Sequence, residues 1–152
     1  MNYSQELNQM VGMFGEMKFN MGITEEGIQG EQTLFKLLKK QGFEFFQPDA
    51  IGFKDGCYYV FETKHQERFI PPPFEGHGLP RWQVQARLKF QKETRIPCVL
   101  VVVDKQTDEI FYQRLDKLEK SKNFVDTHGL KPRRIYNLIE FKTIAKENLN
   151  SV

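Results

Sequence analysis

Two carboxylates and an ammonium group fall close together in this chain, at Asp49 and in the run Glu62-Thr63-Lys64. Residues 49–54 (DAIGFK) read as one strand and residues 57–64 (CYYVFETK) as the next, with Asp55-Gly56 between them. Asp-Gly is a strong hairpin signal, because a type I′ turn needs φ > 0 at both central residues. With those two residues as the whole loop, Lys54 pairs with Cys57 and Asp49 lies opposite Glu62, Cβ atoms about 5 Å apart. A three-residue loop with Gly56 in a bulge would shift that register by one. Facing carboxylates repel unless a cation sits between them. Lys64, two residues past Glu62, points to the same face. Such oxygen donors suit Mg²⁺, with Asp49 and Glu62 as ligands, the Thr63 carbonyl as a third oxygen and Mn²⁺ as a substitute. The ion would acidify a water and steady charge on a phosphate. Lys64 would orient or deprotonate that water, or neutralise the developing charge. The bland alternative is a solvated hairpin face with ordinary surface charges.

Other elements must carry this hairpin. The first 25 or so residues read as one helix and a loop, and residues 29–40 as a helix with an apolar stripe of Leu34, Leu37 and Leu38. Glu31, three and seven residues before Leu34 and Leu38, shares that stripe, and Gly42 marks the helix end. Residues 42–46 lead into the hairpin as a short strand. Residues 69–80 hold four prolines among glycines and read as a long exposed loop beside the site, with His77 in it idle. His65, following Lys64, should face away from the site. Residues 81–93 alternate apolar and polar, yet their strong helix formers favour a helix. Its apolar groups then fall on two faces, Trp82/Ala86/Phe90 and Val84/Leu88. The second lacks a partner within one small domain, which predicts a homodimer. Gln83, or less directly Gln85, would reach the site from this helix. Residues 96–103 read as a buried central strand, 109–114 as another, 115–122 as a basic helix and 133–142 as a final strand.

At 152 residues the chain suits one domain with a real core. Hydrophobic content of 39% with 14 Phe marks a globular chain, not a disordered one. A net charge of +2 announces no nucleic-acid partner, so any such binding must come from local Lys and Arg patches. No apolar run approaches the roughly 20 residues that span a membrane, and the N-terminus lacks the features of a secretory signal. Cys57 and Cys98, both in predicted strands, read as buried free thiols of a reducing cytoplasm, and no zinc spacing exists.

Gly30-Glu31, Pro48-Asp49, Glu62-Thr63-Lys64 and a Gln-bearing helix together resemble the PD-(D/E)xK nuclease superfamily. The likeness covers roughly residues 27–114, and its spacing looks most like Holliday-junction resolvases and related phage or mobile-element nucleases. It implies an α/β, restriction-endonuclease-like αβββαβ core, a mixed central sheet flanked by helices. Residues 1–152 would form one nuclease domain: an N-terminal extension (1–26), a catalytic core (27–114), and a C-terminal helix and strand (115–152). Asp49 and Glu62 become metal ligands, Lys64 the catalytic lysine, Glu31 the helix acid and Gln83 the helix glutamine. The family's Gln is followed four residues later by Tyr, whereas Arg87 stands here. The expected function is a cytoplasmic, Mg²⁺-dependent DNA endonuclease, selective for branched or junction DNA. The alternative is a non-catalytic nucleic-acid-binding or assembly module on the same scaffold.

Overall fold

The computed structural model describes residues 25–70 and 72–145, so the expected N-terminal helix and loop lie outside the described residues. The chain gathers into two compact units, Met1–Phe45 and Phe46–Val152. The first contains α1 (Glu25–Lys40). Gly42, at φ +86°, ends it: its N–H bonds Lys39 O, and Phe43 N–H bonds Leu38 O. This is a Schellman cap, which only a residue at ease in the left-handed region completes cheaply. Phe35 and Phe45 then meet edge to face at 4.6 Å. Residues 43–48 form no strand, contrary to the sequence expectation.

The second unit runs in chain order through β1 (Ala50–Lys54), β2 (Cys57–Gln66), β3 (Gly76–Pro80), α2 (Arg81–Thr94), β4 (Cys98–Asp104), β5 (Ile110–Arg114), α3 (Leu115–Lys120), β6 (Asn123–Asp126), β7 (Arg133–Asn137) and β8 (Lys142–Ile144). A five-stranded sheet has the order β1-β2-β4-β5-β8. Only β2 and β4 are parallel within it. This is the expected mixed α/β sheet with flanking helices. A smaller sheet, β3-β7-β6, was not foreseen. The proline-rich stretch therefore contains a strand, and the expected final strand is broken. Leu138 N–H turns to Glu75 O, residues Leu138–Glu140 coil into a 3₁₀ turn, and the chain rejoins the large sheet as β8.

On β2, Val60, Glu62, Lys64 and Gln66 share one face with Cys98, Leu100, Val102 and Asp104 of β4, their parallel partners. α2 packs over that face through Val84, Arg87, Leu88 and Gln91. Val84 is buried, Leu88 packs against the core, and the Gln91 Oε1 accepts Cys98 N–H. Trp82 is 54% exposed. Contrary to the sequence expectation, Val84/Leu88 lies inside and is no dimer surface, while Phe90 of the other face packs against the core as well. Leu79 and Tyr136 of the small sheet join the same core, as do Leu115 and Leu118 of α3. Among the described residues no helix is long and apolar enough to cross a membrane. Cys98 is buried, and burial pushes its thiol up to about 11; Cys57, expected inside, is exposed at the start of β2.

Candidate active site

The turn residues take the conformation that the hairpin needs, Asp55 at φ +52° and Gly56 at φ +78°. Lys54 pairs with Cys57, and the register runs to Ala50 opposite Phe61. The two-residue loop is therefore the one formed, and Asp49 and Glu62 follow next along the two strands. Their carboxylates do not confront each other bare. Asp49 N–H bonds Phe61 O at 3.2 Å, one step off the register, and its Oδ2 crosses to Thr63. There it accepts the Thr63 N–H at 2.7 Å and the Thr63 hydroxyl at 3.2 Å.

Pro48 gives this arrangement a local cause. Phe61 and Thr63, two apart, turn their N–H and C=O groups to the same side of β2, toward β1. Pro48, which has no N–H, adds no rung beyond Asp49, and β1 begins at Ala50.

Glu62 is 5% exposed and held by two cations. Arg87 donates Nε and Nη2 to its Oε2, both at 3.0 Å, and Lys64 Nζ stands 3.4 Å from Oε1. Arg87 is itself buried. Its guanidinium lies over the Phe46 ring at 4.5 Å, Nη2 also reaches Gln47 O at 3.3 Å, and Phe46 stacks on Phe90. Sequence reasoning recorded Arg87 only as a departure from a pattern. Its spacing held the signal: Val84, Arg87, Leu88 and Gln91 are one helical stripe, and an Arg in a buried stripe requires a buried acid.

The remaining expected site residues divide. Gln83 sits one turn before Arg87 on α2, with a buried Oε1 that finds no partner among the described residues. No hydrogen bond among those residues joins it to Asp49, Glu62 or Lys64, and Gln85 is exposed. Glu31 is exposed on α1, in the first unit.

Along the same face of β2 lies a second polar network. His77, buried and anything but idle, bonds Asp104 Oδ2 through Nε2 at 2.9 Å. The same oxygen accepts Arg68 Nε at 2.9 Å, while Oδ1 accepts the Gln106 and Thr107 N–H groups. Burial pushes Asp104 up, but these hydrogen bonds, from His77 and Arg68 first, outweigh it and hold the carboxyl at about 2. Burial, with Arg68 and Arg133 nearby, lowers His77 despite Asp104. Since an ionised carboxylate only accepts, the neutral imidazole carries its proton on Nε2. His65 is exposed on the opposite face, as expected.

Asp49, Glu62 and the Thr63 carbonyl are all oxygen donors, and two carboxylates with most positions left to water and phosphate is what Mg²⁺ usually takes from a protein. By donor type these residues fit that ion. Nitrogen and sulfur donors are absent from them, so they do not fit a zinc centre. Among the described residues no group of three or more His, Cys, Asp and Glu side chains forms a denser metal site.

The fold is thus a mixed α/β sheet in which Lys64 stands beside Glu62 on β2 and Asp49 bonds Thr63 between them. No family model and no curated protein matches the chain. Among solved structures it is similar to Archaeoglobus fulgidus Hjc, a Holliday junction resolvase from an archaeal hyperthermophile. Identity is 15%, the match covers 84% of this chain and 97% of that one, and the TM-score is 0.43. A likeness at that level leaves the chemistry to be argued from the residues.

Proposed function

We propose that this chain is a Mg²⁺-dependent endonuclease that hydrolyses DNA phosphodiester bonds, with branched or junction DNA as its substrate. Two contacts support the reading: Asp49 Oδ2 is held on Thr63, the residue between Glu62 and Lys64, and Lys64 Nζ stands 3.4 Å from Glu62 Oε1. Asp49, Glu62 and Thr63 would hold the ion, which supplies positive charge at the phosphate and acidifies a water. Asp49 Oδ2 is oriented by Thr63, so that carboxylate is preset. Lys64 carries an ammonium group beside Glu62, aimed where charge builds as water oxygen bonds phosphorus and the sugar oxygen leaves. The departing oxygen takes its proton from solvent. Glu31 and Gln83 have accessory roles in this reading. A homodimer would use a surface other than Val84/Leu88.

A second reading, a non-catalytic nucleic-acid-binding module, is favoured by Glu62 itself. Arg87 and Lys64 already neutralise it, so the site is electrostatically complete without a metal. Thermal unfolding with and without Mg²⁺ or Mn²⁺, alongside cleavage of linear, flapped and four-way DNA, decides between them. The nuclease reading expects metal to raise the melting temperature by an amount set by RT ln(1 + [L]/Kd). Asp49→Ala should abolish that rise. Lys64→Ala should lose cleavage by orders of magnitude while binding DNA in Ca²⁺, because one charge contributes little to a multi-phosphate footprint. A wild-type protein that binds DNA with no metal response and no cleavage establishes the second reading instead.

A further inference from the structure

Past Lys64 on the same face of β2 comes Gln66, and its amide is fixed at both ends. Nε2 donates to Gly78 O at 3.1 Å, and Oε1 accepts Arg133 Nη2 at 2.7 Å. Gly78 fixes this junction in turn, since a Cβ there would lie 1.8 Å from Arg134 O. Arg133, half-buried at the start of β7, is therefore held in a set orientation by a neutral group. A guanidinium has five N–H donors, and this bond uses one. Among the described residues it has no carboxylate at ion-pair distance, unlike Arg68, Arg87, Arg114 and Arg134. Asp126 is its cross-strand neighbour, but that carboxylate accepts from His128, through the backbone N–H and Nδ1. Arg81, exposed, is held alongside: its N–H bonds Pro132 O at 2.9 Å, and Pro80 pairs with Arg133.

An oriented, half-buried arginine with no carboxylate at ion-pair distance, and Asp126 near it but bonded to His128, is a preset receptor for an anion, and its planar fork suits phosphate oxygens. Gln66 lies four residues beyond Glu62, about 13 Å along the strand. At one charge per 3.4 Å of rise on each strand, a nucleic acid seated at Glu62 has further phosphates within that distance. We propose that Arg133, set by Gln66 and joined by Arg81, binds a second phosphodiester of the strand that Asp49, Glu62 and Lys64 engage. The small sheet is thereby a second contact surface for the nucleic-acid backbone. This rests on the nuclease reading for what is bound, but its test is separate.

Binding of fluorescent four-way and duplex DNA is measured in Ca²⁺ by anisotropy over a range of salt. Arg81→Ala and Arg133→Ala should each lower the slope of log K against log salt by about one, and together by about two. Both should weaken all DNA sequences equally. In Mg²⁺ their KM for cleavage should rise more than their kcat falls. Circular dichroism checks folding, and exposed Arg81 supplies a variant that leaves the core untouched. Slopes unchanged from wild type in both variants would overturn the proposal, whether or not the protein cuts. Slopes that fall in a protein unable to cut uphold the contact surface and refute only the catalytic reading. A wild-type protein that binds no DNA at low salt removes both.

Discussion

Replacing Arg87 by Met tests how the site is held. The Arg87 and Glu62 side chains are 9% and 7% exposed, and two nitrogens converge on one carboxylate oxygen at 3.0 Å. Removing one member of such a buried pair typically costs 3–5 kcal/mol, because the other charge stays buried without compensation. Lys64 remains 3.4 Å from Oε1 and is 30% exposed, so it compensates in part. Met keeps contact with the Phe46 ring but loses the cation–π attraction, worth about 1 kcal/mol. Arg87→Met should therefore cost about 3 kcal/mol in urea unfolding, a large share of the 5–15 kcal/mol that stabilises a typical domain. Glu62→Leu/Arg87→Met, with both charges gone, should be more stable than Arg87→Met, and the double-mutant coupling should exceed about 1.5 kcal/mol. Arg87→Met should also strengthen the response to divalent metal, since one competing cation has left Glu62. A loss below about 1 kcal/mol, or strictly additive effects, would refute the buried-pair account.

Three further outcomes follow from the packing. Leu88→Glu should unfold the second unit in urea titrations instead of dissociating a dimer, because Leu88 packs against the core. Gly78→Ala should break the β3–β7 pairing, its Cβ meeting Arg134 O at 1.8 Å, and should cost several kcal/mol by thermal unfolding. On acidification, His77, lowered from 6.5, loses its contribution as the pH falls below 6.5. Asp104, lowered from 3.8 to about 2, gives roughly 2 kcal/mol at neutral pH that is lost between those values. Asp104→Asn should remove that lower limb from stability measured against pH, and an unchanged limb would show that the acid loss has another source.

Local rules made the hairpin legible. Asp55-Gly56 dictates the turn, and the turn dictates the register from Lys54 opposite Cys57 to Ala50 opposite Phe61. The Gly42 cap and the helical assignment of residues 81–93 were equally local. What the sequence concealed depends on partners far along the chain. β3 looks like a loop because Gly76 and Gly78 are needed for close approach to Tyr136 O and Arg134 O, more than fifty residues away. A pattern of Gly and Pro cannot announce a strand whose partner it does not contain. The inner face of α2 was misjudged for a related reason. Hydropathy counts Arg87 as a surface residue, whereas its acid, Glu62, lies on another element and makes the buried position tolerable.

One face of β2 carries two polar networks without collapsing because each buried polar group on it has a partner. Val60 is in the core, and of the residues that follow it on that face, Glu62 and Gln66 are each matched by a group from outside the large sheet's own strands. Glu62 meets Arg87 from α2, and Gln66 meets Gly78 and Arg133 from the small sheet. Asp104, beside Gln66 on β4, meets His77 in the same way. Lys64 is instead paired within its own strand, with Glu62. It stands between a carboxylate fixed by a helix and an amide fixed by a second sheet, and is the one link of the row not anchored across elements. A lysine so placed can leave Glu62 for a phosphate without dismantling either network, which the buried Arg87 cannot do.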